Sequence, residues 1–272
     1  MTKRRAMANR QVLSFMLAGV FGLGLPATAL ALGFGATVRP SVPVSQTSSG
    51  VSRIGALYAN ASTNQHGCTA SVVDSPGGNT LITAAHCVSG SGAGMVFAPG
   101  EQGGTAPYGR WRVTAVHLAP SWLARQDPDV DVAFLTVAPR MIHGHLTTIQ
   151  RVTGGYRLGS TARQGERVTV TGYPAGTSND PITCRPRTYL THEYPTFDCR
   201  GYVGGTSGAP WLHAAKRGLE VVGVIGGLHQ GGCVDSTSYS SPLGGAAAVA
   251  YFRASVGVAS DDAPMPDSDG CT

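Results

Sequence analysis

From residue 53 onward the chain breaks into short apolar or alternating runs separated by turns rich in glycine, proline and asparagine. The runs cover 54–58, 68–73, 81–85, 95–98, 111–118, 132–137, 167–172, 188–190, 210–213 and 219–225, and none exceeds eight residues. Segments this short, closed by turn formers, suit strands rather than helices, which need ten or so residues to develop a buried stripe. Their recurrence predicts an antiparallel barrel or sandwich. Residues 244–256, with Ala246, Ala247, Val249, Ala250 and Phe252 at helical spacing, are the one stretch that reads as a helix.

The two ends depart from this pattern. Residues 1–10 carry Lys3, Arg4, Arg5 and Arg10 without an acid, residues 12–25 are apolar, and Ala29-Leu30-Ala31 offers small residues two apart. This is the layout of a secretory signal peptide over 1–31, cleaved after Ala31. An uncleaved anchor is the competing reading, since about 20 apolar residues span a bilayer; Pro26 and the cleavage site favour removal. Residues 32–50, with Pro40, Pro43 and a Gln-Thr-Ser-Ser-Gly run, read as a flexible linker or short pro-segment. Two folded halves are expected over 51–147 and 148–257. Asp261, Asp262, Asp267 and Asp269 then make 258–272 an acidic tail, read as solvated.

Charge and cysteine content narrow the setting. The whole chain carries +5, but the leader takes four of the twenty basic residues and no acid, leaving sixteen against fifteen and a net charge of +1. No basic tract remains for nucleic acid or for stable association with an anionic membrane. Cysteines 68, 87, 184, 199, 233 and 271 all lie in the exported part, and an even number there predicts three disulfides in a secreted protein. Residues alone permit fifteen pairings. No C-x-x-C spacing argues for metal. His143 and His145 form an H-x-H beside Gly144, read as a solvated turn rather than a metal pair, and Asn60-Ala61-Ser62 fits a glycosylation sequon.

The candidate chemistry lies in three places. Gly205-Thr206-Ser207-Gly208-Ala209-Pro210 sets a serine between glycines, and 121 residues upstream Thr83-Ala84-Ala85-His86-Cys87 ends an apolar run on a histidine. A serine hydroxyl attacks well only when an imidazole takes its proton, and the imidazole needs a carboxylate to fix its tautomer. Asp131 is the best placed, opening Asp131-Val132-Ala133-Phe134-Leu135 after the turn-like Gln126-Asp127-Pro128-Asp129. The G-x-S-x-G elbow of α/β-hydrolases is the rival motif. Ala209 stands where its second glycine belongs, and its order of serine, acid, histidine is not found here.

With the order His86, Asp131, Ser207 and these three blocks, the chain resembles the trypsin-like, chymotrypsin-fold serine proteases of the secreted bacterial branch, over roughly residues 52–256. The resemblance implies an all-β fold of two antiparallel six-stranded barrels with a short C-terminal helix and the site between the barrels. It implies a monomeric endopeptidase acting on polypeptide through an acyl-enzyme, without cofactor or metal. An esterase using the same triad and a catalytically silent binding module are the alternatives.

The Gly205 and Ser207 amides would form the oxyanion hole, and Gly226-Gly227-Leu228 would end the edge strand on which substrate lies; the family commonly has Ser-Trp-Gly there. Gly201 takes the position of the pocket floor where trypsin has an aspartate, so cleavage after Arg or Lys is not expected. Arg200 or His229 would favour an acidic side chain, Tyr202 and Val203 an apolar one. The resemblance also pairs Cys68 with Cys87. Cys184–Cys199 and Cys233–Cys271 complete one set, and a competing set joins Cys199 to Cys233.

Overall fold

The computed structural model describes residues 41–176 and 179–271. The expected signal peptide over 1–31 and residues 32–40 lie outside them. Among the described residues no helix is long and apolar enough to cross a membrane.

The first half is a closed barrel. Its strands are β2 (Ile54–Tyr58), β3 (Cys68–Val73), β4 (Thr80–Thr83), β5 (Val96–Pro99), β6 (Trp111–Leu118) and β7 (Ala133–Val137), preceded in the chain by β1 (Gln46–Thr47). They close in the order β2-β3-β4-β7-β6-β5. Alternate side chains point to opposite faces of a strand, and here both faces are buried. Leu57, Val72, Leu81, Leu135 and Val137 fill the barrel with Phe97 and Trp111. Their neighbours Ile54, Ala56, Tyr58, Val73, Ile82 and Phe134 turn outward, onto Tyr173, Leu212 and Val224 of the second half and Ala247 and Ala250 of the last helix. Burying a large apolar side chain contributes roughly 1.5–3 kcal/mol, so this shared outer layer binds the halves together. Gly55 permits the closure: a Cβ there would lie 2.2 Å from the Ala98 carbonyl oxygen across the β2–β5 seam.

The second half follows a hairpin of β8 (Arg140–Ile142) and β9 (His145–Thr147). Its turn is His143 and Gly144, both at positive φ, the pattern of a tight two-residue hairpin turn. β10 (Arg157–Leu158), β11 (Val168–Gly172), β12 (Ile182–Cys184), β13 (Tyr189–Thr191), β14 (Tyr194–Asp198), β15 (Pro210–Ala215), β16 (Gly218–Val224) and β17 (Thr237–Tyr239) follow. They build a sheet in the order β1-β12-β11-β15-β16-β10 and a ribbon β13-β14-β17. Val168, Val170, Phe197, Tyr202 and Trp211 are buried together there, with the Phe197 ring edge-on to both Tyr202 and Trp211. Among the described residues three α-helices complete the fold: α1 (Pro120–Arg125), α2 (Ile149–Thr153) and α3 (Gly245–Ser255). The mostly antiparallel strands with a short C-terminal helix are the all-β architecture expected.

Both ends differ from expectation. The flexible linker or short pro-segment expected over 32–50 carries, in its described part, a two-residue strand: Gln46 and Thr47 pair with Thr183 and Ile182, the Ser45 amide donates to the Arg200 carbonyl and the Arg200 amide to the Pro43 carbonyl. Its polar residues lie on a sheet edge, where backbone bonding rather than apolar alternation holds the segment. The tail keeps Asp262, Asp267 and Asp269 exposed, as expected, but it is docked through Asp261 and Ala263. Arg253 of α3 grips Asp261 through two hydrogen bonds of 2.7 Å. Asp261 also accepts from the Leu118 amide at 2.8 Å, and Gly90 and Ala263 bond reciprocally. The strap continues past Gln126, which bonds to Met265 and Asp267, to Cys271. Disulfides join Cys68–Cys87, Cys184–Cys199 and Cys233–Cys271, so of the two sets the competing Cys199–Cys233 bond does not form.

Candidate active site

β4 stops at Thr83, and buried Ala84 and Ala85 carry the chain into a single 3-10 turn, Ala85–Cys87. The bond from Cys87 to Cys68 fixes that turn to β3. His86 therefore projects from a stapled corner. Its backbone N–H donates to Asp131 Oδ1 at 2.9 Å and its Nδ1 to Asp131 Oδ2 at 2.7 Å. A carboxylate can only accept, so Nδ1 carries the proton and Nε2 is left as the basic nitrogen.

Asp131 is reached through a 3-10 turn, Pro128–Val130, capped by the Asp127 carboxylate on the Asp129 amide. It is fully buried, and a buried charge is tolerated only when its lone pairs are used. A third donor, the Gly227 amide, reaches Oδ2 at 2.8 Å. The Asp131 amide donates to Ser241 Oγ, which donates to the Pro128 carbonyl. Both faces of the residue are thus held, one by Gly227 and one by Ser241.

Ser207 stands on a loop shaped by glycine. Gly205 has φ +93° and Gly208 +79°, both in the region that side chains disfavour. Space forbids a side chain as well: a Cβ on Gly205 would lie 2.4 Å from the Ala175 nitrogen, and one on Gly208 2.1 Å from Thr83 Oγ1. Backbone bonds from Ala175 to Gly204, from Thr69 to Ser207 and from Gly208 to Ile225, each of 2.7 Å, hold the loop between the halves. Among the described residues neither the Gly205 nor the Ser207 amide donates to a protein acceptor.

His86 and Ser207 line one cleft of about 590 Å3. Its other walls are Tyr202 to Thr206 and the segment from His229 to Asp235, with Ser238 and Asp269. Burial pushes the Tyr202 phenol far above its ordinary value, and its hydroxyl donates to the Val170 carbonyl, so it serves as a neutral wall. His229 and Gln230 bond to the Asp269 and Asp267 carbonyls of the strap, and the Cys233–Cys271 bond ties strap and wall together.

Of the residues expected to touch substrate, Tyr202 lines this cleft. Gly226, Gly227 and Leu228 do not: a Cβ on Gly226 would sit 3.0 Å from Asp131, and Gly227 donates to that carboxylate. Gly226 makes room for the aspartate and Gly227 for Ser241. Gly201 lies against β1, where a Cβ would be 2.4 Å from Ser45 Oγ, and exposed Arg200 has its backbone covered by the same segment. Val203 and His229 line the cleft too, whereas Ser241, Thr69 and the wall from Gln230 to Asp235 were missed. The Gly-Gly pair signalled a close backbone approach there; nothing in the sequence signalled Ser241, 110 residues from its partner.

The trypsin-like peptidase domain matches residues 68–224. An extracellular metalloprotease of Bacillus subtilis is 29% identical over 157 residues, 53% of this chain and 46% of that protein. This chain therefore spans about half the length of that relative. Solved structures show the fold. The protease Anisep of Arthrobacter nicotinovorans has a TM-score of 0.66 at 24% identity, covering 78% of this chain and all of that one. A thermostable serine protease, AL20, from an extremophilic microorganism has 0.61 at 22%, covering 75% and 97%. A Glu endopeptidase has 0.57 at 16%, covering 78% and 95%.

The relative's name raises the question of a metal. Among the described residues the clusters with ligand spacing are Cys68, His86 and Cys87, and His229, Cys233 and Cys271. Every cysteine in them is in a disulfide and offers no thiolate, so these residues do not fit a metal centre. The match across more than half of the chain, on the fold that carries His86 and Ser207 to one cleft with Asp131 buried behind them, shows that this chain belongs to the trypsin-like peptidase domain family.

Proposed function

We propose that the protein is an exported serine endopeptidase in which Ser207 is the nucleophile, His86 the general base and acid, and Asp131 the group that orients and stabilises the imidazole. The observation that carries this reading is the 2.7 Å bond from His86 Nδ1 to fully buried Asp131, with His86 and Ser207 on one cleft. Ser207 Oγ attacks the peptide carbonyl carbon as its proton passes to His86 Nε2. The oxygen that gains the charge is met by the Gly205 and Ser207 amides, preorganised donors of the kind that contribute most to acyl transfer. His86 returns the proton to the leaving nitrogen, the C–N bond breaks, and an ester to Ser207 remains. Water attacks that ester with His86 again as base, releasing the acid and restoring the serine. Three disulfides support an oxidising destination outside the cytoplasm.

The test is treatment of the secreted protein with an active-site-directed fluorophosphonate, alongside digestion of a denatured protein substrate. Labelling and proteolysis should both occur and both vanish in Ser207→Ala, with turnover down on the order of a million-fold and little further loss on adding His86→Ala. Absence of labelling would leave a binding module, and labelling without proteolysis an esterase.

A further inference from the structure

The loop that presents Ser207 has little side-chain substance of its own. Gly204 and Gly205 adjoin Thr206, whose hydroxyl bonds locally to the Val203 carbonyl at 2.8 Å. Glycine rotates its peptide units without steric resistance, so something outside the loop must fix the plane from which the Gly205 amide points. Two contacts do so. The Ala175 amide takes the Gly204 carbonyl at 2.7 Å, and Thr69 Oγ1 donates to the Gly205 carbonyl at 3.0 Å.

Thr69 belongs to β3 in the first half, yet it bonds mainly to the second. Its hydroxyl accepts from the Tyr173 amide at 2.9 Å, which commits its single proton to the Gly205 carbonyl. Its amide donates to the Ser207 carbonyl at 2.7 Å, and its own carbonyl accepts from Thr83 Oγ1 at 2.8 Å. The residue is fully buried, so water cannot take over when the hydroxyl is lost. Tyr173, the other end of the relay, is anchored by its hydroxyl on the Glu101 carbonyl and by His66 Nε2 on its own carbonyl. The branched Cβ of threonine restricts χ1 and keeps the hydroxyl aimed.

We propose that Thr69 is the positioning residue of the oxyanion hole: its hydroxyl clamps the Gly205–Thr206 peptide from the opposite barrel and so keeps the Gly205 and Ser207 amides converged. This rests on the serine endopeptidase reading above. Thr206, immediately before the nucleophile, carries no charge, so the loop is set by a hydroxyl rather than by an ion pair.

The experiment compares Thr69→Val, Thr69→Ser and Thr69→Ala with the wild-type chain and Ser207→Ala. Each is isolated as folded monomer and assayed for kcat and KM on a peptide ester, and for affinity toward a peptide boronate, whose tetrahedral adduct puts an oxygen in the hole. Losing one oxyanion donor costs about a hundred- to a thousand-fold in kcat. Thr69→Val should lose on the order of a hundred-fold in kcat and a similar factor in boronate affinity, with KM within about threefold. Thr69→Ser should stay within about threefold of wild type in all three. Wild-type kcat in the valine variant, a loss confined to KM, or an equal loss in the serine variant would overturn the proposal. Should Thr69→Val not fold, Thr69→Ala is read in its place, and wild-type kcat there overturns it equally. Indistinguishable activity of wild type and Ser207→Ala would instead remove the serine reading beneath it.

Discussion

Asp131 and Ser207 are supported by opposite means. The Asp131 carboxylate receives three N–H donors, from the His86 backbone, the His86 ring and Gly227, and its geometry is written in polar side-chain atoms at the rim of a closed barrel. Ser207 stands on a loop written in backbone shape, with Gly205 and Gly208 at positive φ and the clamp of Thr69 reaching over from β3. In the first region an isosteric change should remove chemistry and largely spare the fold. In the second, one added methyl should remove the fold.

The sharpest way to break that comparison is Asp131→Asn. An amide offers donors where the carboxylate meets three of them, so the ring loses its tautomer and turnover should fall about ten-thousand-fold. Thermal unfolding measured alongside should show a loss of only ~1–3 kcal/mol. A fully active Asp131→Asn variant would end the assignment.

Gly208→Ala tests the other region. Its Cβ would lie 2.1 Å from Thr83 Oγ1 and 2.2 Å from the Thr69 carbonyl oxygen, with backbone strain of about 1–3 kcal/mol added. Yield of folded protein and melting temperature should both drop sharply, and a stable, soluble variant would show that the loop is softer than its geometry.

A smaller effect is expected where the tail meets the first barrel. Burial, helped by the nearby Arg253, holds His117 below its ordinary value, while Asp261 offsets part of this. Burial alone would raise Asp261, but Arg253 and the Leu118 amide overcome it and hold that carboxyl below the usual range. For His117 the unfolded chain binds the extra proton first, near pH ~6.5, so stability should erode as pH falls from there toward the folded value. The Asp261 contribution holds above pH ~4 and is lost only as pH falls through its lowered folded value. Melting curves from pH 7 down to 5 should decline, less so in His117→Gln; an identical slope in the variant would assign the erosion elsewhere.

The least effect is expected at Arg53. Its carbonyl accepts from Val72 and the Ile54 amide donates to Val51, so the chain is built into the barrel there. The half-buried Arg53 side chain lies over the Tyr156 ring, away from the cleft, so Arg53→Gln should keep activity within about twofold. A mature terminus at Ile54 together with an inactive Arg53→Gln would overturn that reading.

The same contrast explains what the sequence made legible. Apolar runs read as strands wherever a face is buried: β2, β3 and β6 lie on the expected residues 54–58, 68–73 and 111–118, and 132–137 differs from β7 by one residue. His86 and Asp131 were legible because one closes and the other opens such a run, and Ser207 because it stands among glycines. β1 was not, because Gln46 and Thr47 carry no apolar alternation and are held by backbone bonds alone. The docking of the tail was not legible because the Leu118 amide and the Arg253 guanidinium meet Asp261 only in space. The cleft wall from Gln230 to Asp235 escaped for the same reason. Gly226 and Gly227 were seen as special, but which group they admit is decided by Asp131, nearly a hundred residues away.

The ends of the described chain cross over: Gln46 and Thr47 lie on the second half, and Asp261 and Ala263 on the first. Each contact joins residues more than 130 positions apart, Gln46 to Thr183 and Val116 to Ser260 among them. Closing such long loops is what slows the folding of β proteins, so these two docking events should come late on the way in. On the way out they become latches. Neither barrel can swing open while the opposite end lies across it, and opening is the step that exposes a chain to cleavage. For an enzyme that would share its medium with copies of itself, crossed ends convert modest stability into endurance against its own kind.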